Sequence, residues 1–212
     1  MKLYTYPSAP SPRRVHLFLA EKGVDVDERH VDLMSGEHFK PPLRDLNAEC
    51  TVPVLELPDG TCLAQVMAIC RYIEELHPDP PLFGNTPANR AVVTERNRWV
   101  ETNGFMAVAD AFRNTTSAMK GHAVPGTRPV AQIPALAERG RERYGWFLEE
   151  LDAWLGQHEY VAGDEFSVAD ITAWVTIEFS SWAIKTEIPE VLSNLTRWYR
   201  AVGSRPAVVA ST

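Results

Sequence analysis

The sequence has little cysteine and no long apolar run. Its three cysteines, Cys50, Cys62 and Cys70, have neither CxxC nor metal-ligand spacing, so neither a disulfide framework nor a metal site is predicted. No stretch approaches the roughly 18 consecutive apolar residues of a membrane span. The first residues, Met1-Lys2-Leu3, lead straight into a strand-like segment without a signal-peptide core. We therefore expect a cytoplasmic protein with reduced, mostly buried cysteines and no membrane partner.

Positive charge is also scarce. The 212 residues carry 21 basic and 28 acidic side chains and no basic run, so nucleic acid is not an expected partner. With 45% hydrophobic and 23% charged residues, the composition is that of an ordinary globular protein. The length allows one large or two small domains.

The first third of the chain alternates strand and helix signals. A short aromatic and β-branched run over 3–6 predicts a strand that ends at Pro7. Ser11 and Pro12 stand just ahead of an apolar face, and Gly23 follows it. This pattern predicts a helix over about 12–22, with Ser11 as the N-cap, Pro12 at the first helical position and Gly23 as the terminal glycine.

The rest of this part predicts a second strand, a hairpin and a helix. Valines alternate with acidic residues over 24–26, which starts the second strand. Strand-like runs at 52–57 and 61–64 flank the turn sequence Pro58-Asp59-Gly60. Apolar residues at helical spacing then predict a helix over 69–76. The predicted order is βαβ followed by ββα.

A proline-rich segment marks a domain boundary. We predict a first domain over 1–77, a linker over 78–87 and an all-helical domain over 88–212, since no convincing strand follows the linker. Helices are predicted around Val92, Trp99 and Met106, which recur every seven residues, and over 144–155. Glycines and prolines over 121–134 predict a loop between them.

Two local motifs have distinct interpretations. Ser167-Val168-Ala169-Asp170 predicts a capping box at a helix start, a structural motif to which we assign no catalytic role. Pro53 interrupts the start of a strand, where it cannot donate to a β-ladder. Either Pro53 is a trans proline at a strand start, or the Val52-Pro53 bond is cis and presents the Val52 backbone to an extended peptide.

The element order, the Val-Pro pair and the helical second half together resemble the cytosolic glutathione transferase family over essentially the whole chain. The motifs that carry the resemblance are Arg14-Val15 with Phe18-Leu19-Ala20-Glu21-Lys22-Gly23, Gly36-Glu37-His38, Asn47, Val52-Pro53-Val54-Leu55-Glu56, Met67-Ala68-Ile69-Cys70-Arg71-Tyr72-Ile73 and Phe166-Ser167-Val168-Ala169-Asp170-Ile171. The resemblance implies a thioredoxin-like α/β N-terminal domain, an all-α C-terminal domain, a homodimer, and glutathione bound mainly by the first domain as a co-substrate.

The resemblance also implies which residues bind glutathione. Thr51, Val52 and Pro53 would pair with its backbone, and Gln65 with Val66 would hold its γ-glutamyl end at a helix N-terminus. Val66 stands where the family usually has a serine, so a hydroxyl contact is missing. His38 lies where some classes approach the glycine carboxylate.

The position that activates the thiol departs from the family pattern. Ala9 stands where many classes have Ser, Thr or Cys, and alanine cannot donate a hydrogen bond to sulfur. Ser11 is our candidate for that role, because a helix start and a hydroxyl both favour a thiolate. The alternative is that Ser11 only caps the helix, and Ser8 is a second nearby hydroxyl.

The predicted function is conjugation of the glutathione thiolate to an electrophilic small molecule, with a role in detoxification. The candidates for the apolar wall of the electrophile pocket are Tyr6, Pro10, Phe105, Met106 and Phe112. Two alternatives stay open at this point. One is glutathione-dependent disulfide reduction, and the other is a non-catalytic binding protein on the same fold, which Ala9 and Val66 keep open.

Overall fold

A computed structural model describes residues 1–210, which fold into two compact units. The first unit comprises Met1–Pro80 together with Val124–Val130, and the second comprises Pro81–Ala123 and the chain from Ala131 onward. The segment 124–130, which the sequence placed in a loop between two helices, therefore packs with the first unit. Residues 211 and 212, the end of the predicted helical domain, lie outside the described residues.

The first unit is a four-stranded sheet with helices. Its strands are β1 (Lys2–Thr5), β2 (Asp27–His30), β3 (Val54–Glu56) and β4 (Cys62–Leu63), and its helices are α1 (Pro10–Lys22), α2 (Leu43–Leu46) and α3 (Val66–Leu76), with a 3-10 turn at Glu37–Phe39. The strand order is β2-β1-β3-β4, in which β1 is parallel to β2 and antiparallel to β3, and β3 is antiparallel to β4. The predicted βαβ-ββα order is confirmed.

Both faces of the sheet are covered, because the neighbouring β3 residues Val54 and Leu55 are both buried and Tyr4 of β1 packs against the buried cluster that contains Val54. Leu3 and Thr5 are buried, whereas Lys2 is exposed and Tyr4 is half-buried. The second strand begins at Asp27 rather than at 24–26, and all four of its residues are exposed. The alternating valines therefore mark the approach to an edge strand and not the strand itself.

A buried lysine joins the carboxyl ends of α1 and α3. Lys22 Nζ lies 2.5 Å from Glu74 Oε2, and it donates to the carbonyl oxygen of His77 at 2.8 Å and to that of Pro80. These acceptors satisfy the ammonium group inside the protein, where an unpaired charge would be very costly. Gly23 follows in the left-handed conformation and ends α1 as predicted.

The regular elements among the described residues of the second unit are all helices, and isolated bridge residues occur at His122, Tyr160 and Gly163. Its helices are α4 (Pro87–Val100), α5 (Met106–Thr115), α6 (Pro134–Leu155), α7 (Val168–Ile184), α8 (Ser193–Gly203) and α9 (Pro206–Val209), with a π-helical turn at Glu101–Phe105 and a 3-10 turn at Ser117–Met119. None of the helices within residues 1–210 is long and apolar enough to cross a membrane.

The heptad of large apolar residues does not mark the buried face of α4 and α5. Val92 is 41% exposed and Met106 is 49% exposed. The buried face is built instead from smaller side chains, namely Val93, Asn97, Val100, Gly104, Ala107, Val108 and Ala111. The small residues of α5 allow the backbone of α6 to approach closely, and those of α4 pack against α7, a feature that a search for large apolar residues does not detect.

The predicted capping box at the start of α7 is present. Ser167 is the N-cap, its Oγ accepts from the Ala169 amide at 3.3 Å, and Asp170 Oδ2 accepts from the Ser167 amide at 3.0 Å. The Asp170 carboxylate also accepts from the Val161 amide at 2.9 Å and from Trp198 Nε1 at 2.8 Å. A local motif therefore also ties α7 to α8 and to the preceding loop.

Candidate functional site

The amino end of α3 is a helix start with unused amides. Gln65 is the N-cap and makes no side-chain capping bond. The first helical bond runs from the Ile69 amide to the Gln65 carbonyl at 3.0 Å. Within residues 1–210, the amides of Val66, Met67 and Ala68 have no backbone acceptor. Such amides and the helix dipole together favour a carboxylate or another anion.

The segment before β3 offers a second unused backbone. The Val52-Pro53 peptide bond is cis, one of the two alternatives that the sequence left open. Neither the amide nor the carbonyl of Val52 makes a backbone hydrogen bond to any described residue. Both groups can therefore pair with an extended peptide laid beside this segment.

Asn47 holds the chain just before Val52. Its Nδ2 donates to the carbonyl oxygen and to Oγ1 of Thr51, each at 3.0 Å, and its Oδ1 accepts from the Glu49 amide at 3.1 Å. Cys50 lies between them in the left-handed region with a φ of 53°, which is uncommon for a residue other than glycine. The side-chain bonds of Asn47 fix the position of Thr51 and hence the direction in which the chain enters Val52.

The amino end of α1 differs from the sequence prediction. Ala9 is the N-cap and Pro10 takes the first helical position, so Ser11 lies inside the first turn and is not the N-cap. Proline suits the first helical position because its ring fixes φ near the helical value and its missing amide hydrogen is not needed there. Pro10 and Pro12 both meet these requirements. Two prolines spaced by one residue gave two possible starts, and the helix uses the earlier one.

Ser11 is therefore free of a capping role and is half-buried at the helix start. Its Oγ accepts a hydrogen bond from Arg14 Nη2 at 3.3 Å. Arg14 itself is buried, and in the sequence it was notable only as part of a family motif. Its spacing of three residues from Ser11 is the signal that could have paired the two side chains, since such residues share a helix face.

A histidine fixes the end of β1 just before this helix start. His16 Nε2 lies 2.7 Å from Thr5 Oγ1, and His16 Nδ1 lies 3.2 Å from Glu28 Oε1. Burial lowers the pKa of His16 below its usual 6.5, and the nearby Glu28 opposes this effect. A neutral ring with its proton on Nδ1 donates to Glu28 and accepts from Thr5, which joins β1, α1 and β2.

The remaining predicted residues are placed as follows. His38 is half-buried in the 3-10 turn, with its ring centroid 3.9 Å from that of Phe39. The Tyr6 ring lies against His30, with a centroid distance of 5.4 Å. The roles of His38 toward a carboxylate, and of Tyr6 and Pro10 toward an electrophile, stay predictions.

Phe105, Met106 and Phe112 lie in the second unit. Phe105 and Phe112 pack in an aromatic cluster with Phe179, at centroid distances of 5.6 and 5.8 Å, and Phe112 also contacts Trp182. Helix packing accounts for both of these phenylalanines. Their assignment to an electrophile pocket, with that of Met106, stays a prediction.

Comparison with known proteins identifies the family. Residues 9–76 match the family model described as "Glutathione S-transferase, N-terminal domain", and residues 134–201 match the corresponding C-terminal domain. Glutathione S-transferase 2 of Saccharomyces cerevisiae is 35% identical over 215 residues, covering 98% of this chain and 88% of that protein. This chain belongs to the glutathione S-transferase family.

Solved structures from the glutathione S-transferase family agree with this assignment. The crystal structure of Gtt2 from Saccharomyces cerevisiae superposes with a TM-score of 0.91 at 34% identity and covers 100% of both chains. That of a glutathione S-transferase domain-containing protein from Marinobacter aquaeolei VT8 also gives 0.91, at 37% identity, covering 98% of this chain and 100% of the other. The predicted fold class, a thioredoxin-like α/β domain followed by an all-α domain, is confirmed.

Proposed function

We propose that this chain is a glutathione transferase whose first unit binds reduced glutathione and stabilises its thiolate at Ser11 for attack on an electrophilic small molecule. The observation that carries the proposal is a set of unused backbone groups on one unit: those of Val52, those at the start of α3, and the amide of Ser11. The names of the full-length relatives support it.

Each group has a distinct task in this proposal. The amides at the start of α3, beside Gln65, hold the γ-glutamyl carboxylate. Val52 pairs with the cysteinyl backbone as an added strand, with Thr51 and Pro53 on either side. His38 receives the glycine carboxylate, and Ser11 faces the sulfur. A cytoplasmic location and a part in detoxification belong to the same proposal.

Turnover distinguishes this function from its alternatives. The enzyme is expected to conjugate glutathione to a chlorinated dinitrobenzene, with the thiolate attacking the carbon and chloride leaving. The comparison substrate is a mixed disulfide of glutathione, assayed at equal enzyme concentration. Faster reduction of the disulfide would favour a reductase, and binding of glutathione without turnover of either substrate would favour a binding protein.

Gln65→Ala is expected to weaken glutathione binding several-fold. The substitution removes a polar contact beside the helix start but leaves the three backbone amides in place, so binding is reduced rather than abolished. Titration calorimetry with reduced glutathione measures the effect, and Gln157→Ala in the second unit is the control. No heat at millimolar glutathione with the wild-type protein would contradict glutathione binding altogether.

The chain is expected to form a homodimer, with α3 near Leu76 of one subunit facing α4 near Trp99 of the other. Leu76 is 50% exposed, and Val92 and Met106 give α4 and α5 an apolar surface. Light scattering should give twice the 23.7 kDa chain mass. Val92→Glu, on the exposed surface of α4, should increase the monomer fraction, whereas Met34→Glu at an exposed position of the first unit should not. A wild-type monomer at micromolar concentration would contradict the expectation.

A further inference from the structure

The first turn of α1 has few groups that can stabilise a negative charge. Pro10 and Pro12 have no amide hydrogen, and the Ala9 amide already donates to the Tyr6 carbonyl at 2.9 Å. Ser11 alone keeps an amide without a backbone acceptor among the described residues of this turn. A helix start usually presents several amides to an anion, whereas this turn of α1 presents one. The Ser11 hydroxyl and the groups around it therefore contribute more to the stabilisation of a negative charge.

The hydrogen bond from Arg14 determines how that hydroxyl can be used. A serine hydroxyl has one proton to donate and two lone pairs that accept. Arg14 Nη2 occupies an acceptor position of Ser11 Oγ at 3.3 Å, and Arg14 is only 6% exposed. Within residues 1–210, the Ser11 hydroxyl has no hydrogen-bond acceptor for its own proton. The proton is therefore available to a group that is not part of the described chain.

We propose that Arg14 is a positioning residue that directs the Ser11 hydroxyl proton toward the sulfur of bound glutathione and so favours the thiolate. The inference rests on the proposed function. The thiol gives its proton to solvent, Ser11 stays protonated and donates to the sulfur anion, and Arg14 keeps its charge. The guanidinium polarises the hydroxyl that it contacts, which makes the hydroxyl a stronger donor.

The expected result for Arg14→Met is a pH profile displaced to higher pH. In the conjugation assay at saturating glutathione, kcat/KM for the electrophile should fall about three- to tenfold near neutral pH. It should recover to within about twofold at alkaline pH, where the thiol ionises without help. KM for glutathione should change less than twofold. A purely structural role would instead lower kcat/KM by the same factor at every pH. Arg44→Met, which removes an exposed arginine from the same unit, is the charge control.

A double variant distinguishes action through Ser11 from a direct effect of the charge. If Arg14 acts through the hydroxyl, adding Arg14→Met to Ser11→Ala should displace the profile no further. An undiminished displacement on the Ser11→Ala background would overturn the proposal. A profile moved by Ser11→Ala but not by Arg14→Met would also overturn it and would leave the proposed function intact. Failure of the wild type to bind glutathione in calorimetry would instead refute the proposed function.

Arg14→Lys keeps the test decisive if Arg14→Met does not fold. Lysine retains the positive charge but has no planar fork to place a donor at the Nη2 position. An upward displacement of the profile by Arg14→Lys would support the proposal, because the charge is unchanged. A profile that coincides with that of the wild type would overturn it. Thermal denaturation of each variant identifies the temperature at which all of them are folded.

Discussion

Asp170→Ala is expected to lower the free energy of unfolding by about 3–4 kcal/mol. The carboxylate is fully buried and accepts from the amides of Val161 and Ser167 and from Trp198 Nε1. Removing it leaves these buried donors without an acceptor, at a cost of about 1–3 kcal/mol for each unsatisfied group. Urea denaturation measures the loss, and Asp164→Asn, at an exposed position just before α7, should change stability by less than about 0.5 kcal/mol.

The same carboxylate makes stability depend on pH. Burial raises the pKa of Asp170 from 3.8 to about 6, so the folded protein binds a proton more readily than the unfolded chain between these values. This contribution is fully present below pH 3.8 and is lost as the pH rises through about 6. The stability difference between the wild type and Asp170→Asn should therefore grow by about 2–3 kcal/mol between pH 7 and pH 4. A difference that stays constant with pH would contradict the raised pKa.

Gly140→Ala is expected to destabilise the second unit by about 2–3 kcal/mol or more. A Cβ atom at this position would lie 2.6 Å from the carbonyl oxygen of Ala107 and 2.9 Å from the Ala111 amide nitrogen. Both are backbone atoms of α5, so relief requires α5 and α6 to move apart, which disrupts the core between them.

Gly145→Ala is the matched control on the same helix. A Cβ at Gly145 meets no atom within 4 Å, so alanine should stabilise α6 by up to about 1 kcal/mol through its higher helix propensity. Thermal denaturation of the two variants should therefore move the transition in opposite directions. Equal effects would show that α5 and α6 do not approach as closely as the structure places them.

Local sequence patterns predicted much of the fold because they depend on interactions between residues that are close in sequence. The hairpin turn at Pro58-Asp59-Gly60, the left-handed Gly23 and the capping box at Ser167 each depend on backbone geometry within a few residues. The resemblance to the glutathione transferases added the thioredoxin-like order and the Val52-Pro53 segment. Periodicity could not place the buried face of α4 and α5, because its side chains are small: those of α5 meet the backbone of α6, and those of α4 pack against α7.

The candidate site was predictable in its backbone elements and not in its side-chain partners. Val52 and the Gln65-Val66 pair came from the family resemblance, whereas the apolar spacing alone started this helix at 69, three residues after α3 begins at Val66. The start of α1 depended on which of two prolines takes the first helical position, and both are sterically suitable. The bond between Arg14 and Ser11 depends on a side-chain rotamer in a buried setting, which composition and spacing do not specify.

The titration of the bound glutathione thiol tests the central claim most directly. Thiolate absorbance, followed from about pH 6 to pH 9, should give the wild-type complex a thiol pKa below the value of about 8.5 for a free cysteine. Ser11→Ala should raise it by about one unit, and Ser8→Ala, which removes a neighbouring exposed hydroxyl, should leave it unchanged. Because Ser11 is not the N-cap, this substitution removes no capping bond. Identical titrations of the wild type and Ser11→Ala would contradict the account.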